Sequence, residues 1–506
     1  MFIDALKGPL PKNISVDVCI IGAGVAGISM AKQLQGSGLR IALIESGGLQ
    51  LDADVQDLYR GENIGLPYDP LDACRLRFFG GSSNHWGGWT RPLDRIDFEK
   101  REWMPWSGWP ITFDDVSPYY EGAQRLVEVG GAPYEAEYFS PESSTNYLID
   151  RANIKTTVFK ISPPTRFLSS YKNDFSSDSK VHVLLNTNFI DFVLGEDKQS
   201  VQGAEIVTLA GDKGLVKAKQ FVLACGGIEN PRILLNCRKG NKSGLGNDND
   251  LVGRFFSDHD GILSGNTVLG QRLLNSSFYR LHVPEIVRKA GLDIPVIPSF
   301  TLAEGTLKEK MLPNFNTYIL PVPDGSRASG GLSIYPEIER LVNFVEGSPP
   351  HSGGVPRFFQ LVTAFENTPN PNSRVMLGND RDALGLLRCK LNWQRSSNDQ
   401  LLAERLSMEF ARQFALAGLG RVHIDAKSIW PQKSLEIGRH HMGTTRMSNT
   451  PDSGVVDSDC RVHGIDNLFV AGSSVFSSYG FAQPTLTIIA LALRLASHIK
   501  ERIGRV

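Results

Sequence analysis

The stretch that decides the fold is residues 16–45, which read VDVCIIGAGVAGISMAKQLQGSGLRIALIE. Val16 to Ile21 is a short, apolar, β-branched run that predicts a buried parallel strand, and Leu39 to Ile44 predicts a second one. The residues between them, from 28 to 35, predict a helix. A strand, a helix and a strand within about thirty residues make one βαβ unit. The sequence therefore predicts a parallel α/β sheet near its N-terminus.

Three glycines follow the first strand at the spacing of a dinucleotide-binding loop (residues 22–27, the dinucleotide loop). Gly22 permits the tight turn, Gly24 lets the backbone approach a pyrophosphate, and Gly27 lets the helix pack closely on the strand. The helix N-terminus offers free N–H groups to the phosphates. Glu45 lies eighteen positions after Gly27, where a carboxylate can accept hydrogen bonds from ribose hydroxyls. An acid there disfavours a 2′-phosphate, so the motif predicts FAD or NAD rather than NADP.

Length and composition set further bounds. A chain of 506 residues exceeds what one core usually holds, so we expect two domains. A formal net charge of -1 without long charge runs gives no indication of a nucleic-acid surface. The N-terminus shows no apolar leader, and the apolar segment from Leu486 to Ala496 is too short to span a bilayer. The six scattered cysteines form no CxxC pair, so we expect no metal site and a reduced, cytoplasmic location.

A second unusual loop (the flavin loop, residues 77–89) reads RFFGGSSNHWGGW. Gly80 and Gly81 would let the chain pass close to a flat ring system, and Ser82 and Asn84 offer short polar groups beside it. At this point the sequence resembles the glucose–methanol–choline (GMC) oxidoreductase family. Members of that family carry such a loop over the flavin of FAD, followed by an aromatic and proline-rich stretch like residues 109–120.

A third motif, HHMGTTRM at residues 440–447, matches the HxxGT segment of the GMC family. The first histidine of that segment is the family's catalytic base, and His440 occupies its position. Other matching blocks are residues 221–232, 251–259, 370–374, 455–474 and 484–490. The resemblance thus runs in order from about Val16 to Ile499. Its local form is most similar to the branch of pyranose oxidases and fructose dehydrogenases.

The resemblance implies an FAD-binding Rossmann-like domain of the GMC type joined to an α+β substrate domain. We expect the FAD-binding domain in residues 12–130, 175–260 and 425–506, and the substrate domain in residues 131–174 and 261–424. The sequence pattern agrees, because strand-like segments such as Phe358 to Phe365 and Leu386 to Trp393 alternate with turns. Such a pattern predicts an antiparallel sheet above the flavin.

The chemistry that follows is oxidation of an alcohol to a carbonyl. A neutral His440 can take the hydroxyl proton, and flavin N5 accepts the hydride. The last helix is predicted to start at Pro484, so its N–H groups could face the negative charge of the reduced flavin. One position departs from the family, because Gln483 stands where the second catalytic residue is usually His or Asn. Gln483 can bind a substrate oxygen from a longer side chain, or it caps the helix while the substrate is held elsewhere.

His85 has two open interpretations, because pyranose oxidases attach the flavin covalently to a histidine at this position. Either His85 carries such a bond, or it only hydrogen-bonds the loop or the flavin. With the catalytic pair His440 and Gln483, the predicted cofactor-binding residues are Gly22, Gly24, Gly27, Glu45, Gly80, Gly81, Ser82, Asn84, His85, Trp86, Ala224, Gly226, Gly472, Ser473, Pro484 and Thr485.

The substrate itself stays open at the level of sequence. By analogy with the branch, a sugar, polyol or glycoside is expected. The alternatives are a hydroxyl of a secondary metabolite in a biosynthetic pathway, and a non-redox lyase that keeps FAD as a relic. The electron acceptor is either oxygen or a separate carrier, and no haem motif is present.

Overall fold

The computed structural model describes residues 1–139, 153–163, 165–176, 178–270, 273, 279, 283, 285–321, 359–424 and 436–504. Parts of the predicted substrate domain, and Phe358 at the start of one predicted strand, lie outside the described residues. The strands are β1 (Phe2–Asp4), β2 (Asn13–Ile21), β3 (Ile41–Ile44), β4 (Gly61–Asn63), β5 (Trp89–Thr90), β6 (Ile154–Ile161), β7 (Val181–Leu185), β8 (Asn188–Leu194), β9 (Val201–Val207), β10 (Lys213–Leu223), β11 (Asp260–Leu269), β12 (Val296–Leu302), β13 (Phe315–Pro321), β14 (Phe359–Phe365), β15 (Arg374–Arg381), β16 (Leu387–Asn392), β17 (Gly420–His423), β18 (Glu436–Ile437) and β19 (Leu468–Val470).

Helices connect and cover these strands. The α-helices are α1 (Val25–Leu34), α2 (Ala53–Asp57), α3 (Arg95–Phe98), α4 (Phe113–Leu126), α5 (Ala136–Phe139), α6 (Phe167–Tyr171), α7 (Gly226–Asn236), α8 (Glu285–Lys289), α9 (Glu304–Glu309), α10 (Asp399–Leu416) and α11 (Thr485–Gly504). Within the described residues, no helix has the length and apolar character needed to cross a membrane.

The first sheet has the order β1-β7-β3-β2-β10-β9-β8, and β19 pairs with the end of β10. Strands β1, β7, β3, β2, β10 and β19 pair in parallel, while β8 and β9 add an antiparallel ribbon. Ile21 lies opposite both Ile44 and Leu223, and Leu223 lies opposite Val470. Four carboxyl ends therefore meet at one edge, which is where dinucleotides bind in such sheets. The predicted Rossmann-like fold is confirmed.

The second sheet has the order β17-β11-β14-β13-β12-β6-β5, with β18 beside β11. All its pairings are antiparallel, so the predicted separate antiparallel sheet is also confirmed. Helix α10 covers this sheet and buries Leu406, Phe410 and Phe414 in a shared core. A small third sheet joins β15, β16 and β4.

Helices α1, α4 and α7 begin earlier or run longer than the sequence predicts, and α1 begins at Val25 instead of residue 28. Residues 61–118 are rich in Gly, Trp, Pro and charge, which predicts long loops with short helices, but α4 runs for fourteen residues and contains Pro118. Its start is fixed by a capping box, in which Thr112 and Asp115 satisfy each other's backbone N–H groups. The helix begins at this box and continues through the proline.

Proline is common in the first turn of a helix, so Pro231 predicts a helix that begins there, but α7 begins at Gly226. Proline has no N–H to donate to the carbonyl four residues earlier, which belongs to Gly227. The hydroxyl of Thr444 donates to that carbonyl instead. A side chain from the HHMGTT segment therefore replaces the missing helical hydrogen bond, which is why the helix tolerates an internal proline.

The predicted division into two domains can be compared with the two large sheets. The parallel sheet draws on β1 to β3, β7 to β10 and β19, and the antiparallel sheet draws mostly on β6 and β11 to β14. Strands β5 and β18 pair into the antiparallel sheet, although both were assigned to the FAD-binding stretches. The chain thus crosses between the sheets at these two strands, and the residue boundaries stay a prediction.

Candidate active site

A cavity of about 420 Å³ lies between the carboxyl edge of the parallel sheet and one face of the antiparallel sheet. Most of the predicted site residues line it, although they come from distant parts of the chain. These are Gly22, Gly24, Glu45, Gly81, Ser82, His85, Trp86, Ala224, Gly226, His440, Gly472, Ser473, Gln483, Pro484 and Thr485. Three predicted residues lie outside the lining, namely Gly27, Gly80 and Asn84.

The dinucleotide loop has a separate steric reason for each glycine. Gly22 has a φ of 103°, and a Cβ there would lie 2.7 Å from the carbonyl oxygen of Ala224. A Cβ on Gly27 would lie 1.9 Å from the carbonyl oxygen of Gly22, so Gly27 serves packing beneath the loop. A Cβ on Gly24 would meet no atom within 4 Å, because it would project into open space. Gly24 is also the residue before α1, whose N-terminus thus faces the cavity.

Glu45 follows β3 and is held from two sides. Its carboxylate accepts hydrogen bonds from the backbone N–H groups of Ala23 and Gly47, both at 2.9 Å. Burial raises the pKa of Glu45, while these N–H donors oppose the rise. The two bonds fix the carboxylate beside the dinucleotide loop and leave lone pairs on both oxygens for ribose hydroxyls.

The flavin loop packs directly on the dinucleotide loop. Gly80 donates its N–H to the carbonyl of Ala23 at 2.8 Å, and a Cβ on Gly81 would lie 3.2 Å from Cα of Gly24. Asn84 donates to the carbonyl of Phe79, so it supports the loop from behind. These contacts explain why Gly80 and Asn84 lie outside the cavity lining although they shape it.

A buried ion cluster joins the flavin loop to α7. Glu229 contacts Arg75 and Arg77 at 3.2 Å and Arg232 at 2.6 Å. Glu229 is only 3% exposed. Burial alone would raise its pKa, but the three guanidinium groups together lower the pKa of Glu229 to about 2. Arg77 also donates to the hydroxyl of Ser46, so the cluster links the cavity floor to the segment after β3.

Replacing this central carboxylate is expected to destabilise the protein strongly. In Glu229→Ala, the buried Arg75 and Arg77 lose their carboxylate partner. Loss of one partner of a buried ion pair typically lowers the free energy of unfolding by about 3–5 kcal/mol. Urea unfolding followed by circular dichroism measures the change. The matched control is Glu99→Ala, whose exposed pair with Lys308 is worth about 1 kcal/mol or less. Equal losses in the two variants would contradict the assigned role of the cluster.

The pH dependence of the stabilisation by Glu229 follows from the direction in which its pKa is shifted. Because the folded pKa of Glu229 lies below its ordinary value of 4.5, its contribution is complete above pH 4.5. The contribution falls as the pH drops toward 2, so the stability difference between the wild type and Glu229→Ala should narrow on acidification.

His440 lies on the loop after β18 and faces the cavity. Its backbone N–H donates to Asp258 Oδ1 at 2.8 Å, and its ring Nδ1 lies 2.8 Å from Nδ1 of His259. His259 is buried, and its Nε2 lies 3.1 Å from the carbonyl oxygen of Gly480. Burial lowers the pKa of His440 well below its ordinary value, and His259 and His441 lower it further. A neutral imidazole therefore stands at the cavity wall, as a general base requires.

His441 has a different environment from its neighbour. Its ring packs near those of Tyr68 and Phe256, and its Nε2 lies 3.7 Å from Sγ of Cys74. Burial is the main cause that lowers its pKa to about 3. These contacts are those of a packing residue in the cavity wall.

Gln483 and Pro484 form the cavity wall just before α11. The carbonyl of Pro484 accepts from the N–H of Ile488, so the helix begins within one residue of the predicted position. Among the described residues, none bonds to Oε1 of Gln483, and this oxygen is buried. The amide of Gln483 therefore has hydrogen-bonding capacity that the described part of the fold leaves unused.

The antiparallel sheet supplies the remaining wall. Tyr318 and Asn316 of β13 and Ala364 of β14 line the cavity, together with Trp89 and Phe481. Trp89 packs near the ring of Tyr318, and both belong to one buried aromatic cluster with Phe481. This end of the cavity is an aromatic chamber with few polar groups.

Sequence reasoning missed several of these residues. His259 was noticed only as part of a matching block, and no role was assigned to it or to Asp258. Asn316 and Tyr318 gave no local signal, because alternating polar residues are common in strands. The partner of His440 is 181 positions away in the chain, so only the fold reveals the pair.

The open helix N-terminus, the fixed acid and the two packed glycine loops define a dinucleotide-type cofactor site next to the buried imidazole of His440. Comparison with known proteins agrees with this class. A model of the GMC oxidoreductase family matches residues 369–492. The 2-methyl-1,2-propanediol dehydrogenase of Mycolicibacterium austroafricanum is 23% identical, with 96% of each chain covered. The fructose dehydrogenase large subunit of Gluconobacter japonicus is 22% identical over 96% of this chain and 98% of its own.

Solved structures give the same result for the fold. Pyridoxine 4-oxidase from Mesorbium loti superposes with a TM-score of 0.59 at 18% identity, covering 95% of this chain and 98% of that one. The chain is therefore similar to GMC oxidoreductases over nearly its whole length, and residues 369–492 match the model of that family. It is an FAD-dependent oxidoreductase that acts on CH–OH groups.

The residues of the cavity fit FAD on geometric grounds. The open space above Gly24 accommodates a pyrophosphate against the backbone, and the fixed carboxylate of Glu45 can accept ribose hydroxyls. The N-termini of α1 and α11 both border the cavity and offer N–H groups to negative charge.

Proposed function

We propose that this enzyme oxidises a hydroxyl of a sugar, polyol or glycoside to a carbonyl, with His440 as the general base. The observation that carries the proposal is the shared cavity, in which His440 and Gln483 stand between the cofactor-binding loops and the aromatic chamber. When bound, FAD supplies a hydride acceptor at N5. The protein supplies the base, orients the hydroxyl and limits access of water.

Two further observations support a polyhydroxylated substrate. The relatives named above carry a diol and a sugar in their names, although identities of 22–23% leave the substrate of this chain open. The chamber combines the flat faces of Trp89, Tyr318 and Phe481 with the amides of Asn316 and Gln483. Aromatic faces suit the C–H surface of a sugar ring, and amides suit its hydroxyls.

Gln483 is proposed to hold the reacting oxygen or a neighbouring hydroxyl. Gln483→Leu removes the amide at similar volume and is expected to lower kcat/KM about 10- to 100-fold, the value of one or two lost hydrogen bonds. Steady-state kinetics with the active substrate measures the effect. Gln483→Asn is the matched control, because it keeps an amide of the type usual in the family. Unchanged kinetics in the leucine variant would contradict a role of Gln483 in holding the substrate.

His85 keeps its two alternatives, a covalent bond to the flavin or contact without a bond. Its ring lines the cavity, and burial, Arg439 and Arg166 lower its pKa, so an uncharged nitrogen is available for either. Acid precipitation distinguishes them. Flavin absorbance in the washed pellet, lost in His85→Ala, indicates the covalent bond, and flavin in the supernatant indicates contact alone.

The experiment that tests the proposed function is anaerobic titration of the purified holoenzyme, followed by flavin absorbance. The panel contains sugars, polyols, glycosides and simple alcohols. Bleaching by the polyhydroxylated compounds, and not by simple alcohols, supports the proposal, and readmitting air shows whether oxygen is the electron acceptor. A flavin that stays oxidised against the whole panel contradicts it and favours a secondary-metabolite substrate or the non-redox lyase.

A further inference from the structure

His440 is bonded at one ring nitrogen by a second imidazole, which has its own fixed partner. His440 Nδ1 and His259 Nδ1 are 2.8 Å apart, and His259 Nε2 is 3.1 Å from the carbonyl oxygen of Gly480. The two rings are nearly perpendicular, at 85°. Both distances are those of hydrogen bonds, so each contact needs one hydrogen between its two atoms.

The carbonyl oxygen of Gly480 decides where these hydrogens are. A carbonyl only accepts, so Nε2 of His259 must carry the hydrogen of that contact. A neutral imidazole carries one N–H, which leaves Nδ1 of His259 as a lone pair. The hydrogen between the rings must then come from Nδ1 of His440. Neutral His440 is left with its lone pair on Nε2, the nitrogen not engaged by His259.

The geometry points to His259 as the positioning residue that fixes the tautomer of His440, so that Nε2 is the nitrogen that receives the substrate proton. This inference rests on the proposed role of His440 as base. The step is balanced within the proposed reaction, since the hydroxyl O–H bond breaks as the Nε2–H bond forms. After transfer, His440 is a cation, and its Nδ1–H bond to His259 becomes charge-assisted and stronger.

Both rings are neutral before the reaction, which the tautomer argument requires. Burial lowers the pKa of His259 to about 4, against an opposing bond to Gly480. His440 is lowered by burial and then by His259 and His441. Among the described residues, the charged or titratable side chains near the pair include Asp258, Tyr68, Tyr479, Arg439 and His441. Of these, Asp258 accepts from the backbone N–H of His440 and from the hydroxyl of Tyr68, while Nδ1 of His440 lies against His259.

Substitution of His259 tests the inference with a matched pair of variants. His259→Phe keeps the ring but removes the acceptor, so nothing holds the hydrogen on Nδ1 of His440. The rate constant of flavin reduction is expected to fall about 10- to 100-fold. The substrate concentration that gives half-saturation should stay within about threefold of the wild-type value. His259→Asn can place its Oδ1 near the lost Nδ1 and should recover most of the rate. His182→Phe, on β7 away from the cavity, controls for replacing a histidine by phenylalanine.

A spectroscopic measurement separates this role from a merely structural one. Two-bond ¹H–¹⁵N spectra of the holoenzyme with ¹⁵N-labelled histidine report which nitrogen carries hydrogen, and His440→Gln assigns the signals. The wild type should show His440 protonated at Nδ1, and His259→Phe should shift hydrogen to Nε2. A wild-type His440 signal with hydrogen on Nε2 overturns the inference even if His259→Phe does not fold. So does His259→Phe with the wild-type rate.

The same data keep the two proposals distinguishable. Absence of flavin reduction by the whole alcohol panel in the wild type defeats the proposed function, while the spectra still report the tautomer. Normal reduction in the wild type with an unaffected His259→Phe variant defeats only the role of His259.

Discussion

His440→Ala should retain FAD and lose most of its capacity to reduce the flavin. The variant lacks the base that takes the hydroxyl proton, and such general-base help contributes about 10²- to 10⁴-fold. The ring of His440 bonds to His259 rather than to the dinucleotide loop, so cofactor binding should persist. Stopped-flow reduction under anaerobic conditions gives the rate constant, and absorbance per chain gives the FAD content.

His441→Ala is the matched control for this prediction. His441 is adjacent in the chain and buried like His440, but its ring packs against Tyr68, Phe256 and Cys74. Its loss should lower stability more than it lowers flavin reduction, because a cavity replaces a packed ring. Near-normal reduction in His440→Ala, or equal rate losses in both variants, would remove His440 from the role of base.

His440, the proposed base, lies in the cavity between the two large sheets. His440 follows β18, which pairs with the first residues of β11, and Asp258 and His259 directly precede β11. The same short region thus anchors the backbone of His440 through Asp258 and its ring through His259. Gly480, which bonds His259, lies shortly before α11. His440 is therefore held by two direct hydrogen bonds, and the second of its partners, His259, is itself held by Gly480.

Local signals predicted the fold well, because the βαβ unit depends on near neighbours. The glycine spacing, the apolar strands and Glu45 all lie within thirty residues, and each constrains the others. The start of α7 was mispredicted for the opposite reason. Pro231 is an ordinary helix-start signal, and the hydroxyl that compensates for it belongs to Thr444, 217 positions from the carbonyl it bonds. The start of α4 was not predicted either, although Thr112 and Asp115, which form its capping box, are only three residues apart in the sequence.

The candidate site was predictable to the extent that motifs mark it. The glycine loops and His440 belong to recognisable segments, and the fold brings most of them to one cavity. The contacts that orient the base were not predictable, because hydrogen bonds between segments depend on how the two sheets pack. Asn316 and Tyr318 could not be predicted for the same reason. The alternation along a strand shows which face of the sheet a residue lies on, but not which cavity that face lines.

Gly24→Val should give a folded protein that no longer binds FAD. A Cβ on Gly24 meets no atom within 4 Å, and the backbone there has a φ of −81°, which valine adopts readily. The added side chain therefore fits the apoprotein and fills the space where the pyrophosphate must approach the backbone. We expect FAD affinity to fall by at least about 100-fold, equivalent to roughly 3 kcal/mol.

Fluorescence titration of the apoprotein with FAD measures that loss, and thermal unfolding of the apoprotein tests the fold. Gly8→Val is the matched control, because its Cβ also meets no atom within 4 Å but Gly8 lies outside the cavity. Gly27→Ala supplies the contrast, since its Cβ would lie 1.9 Å from the carbonyl of Gly22 and should damage the fold itself. A yellow, fully loaded Gly24→Val protein would overturn the assignment of this loop to the cofactor, whereas a folded, colourless one ties the open space above Gly24 to FAD binding.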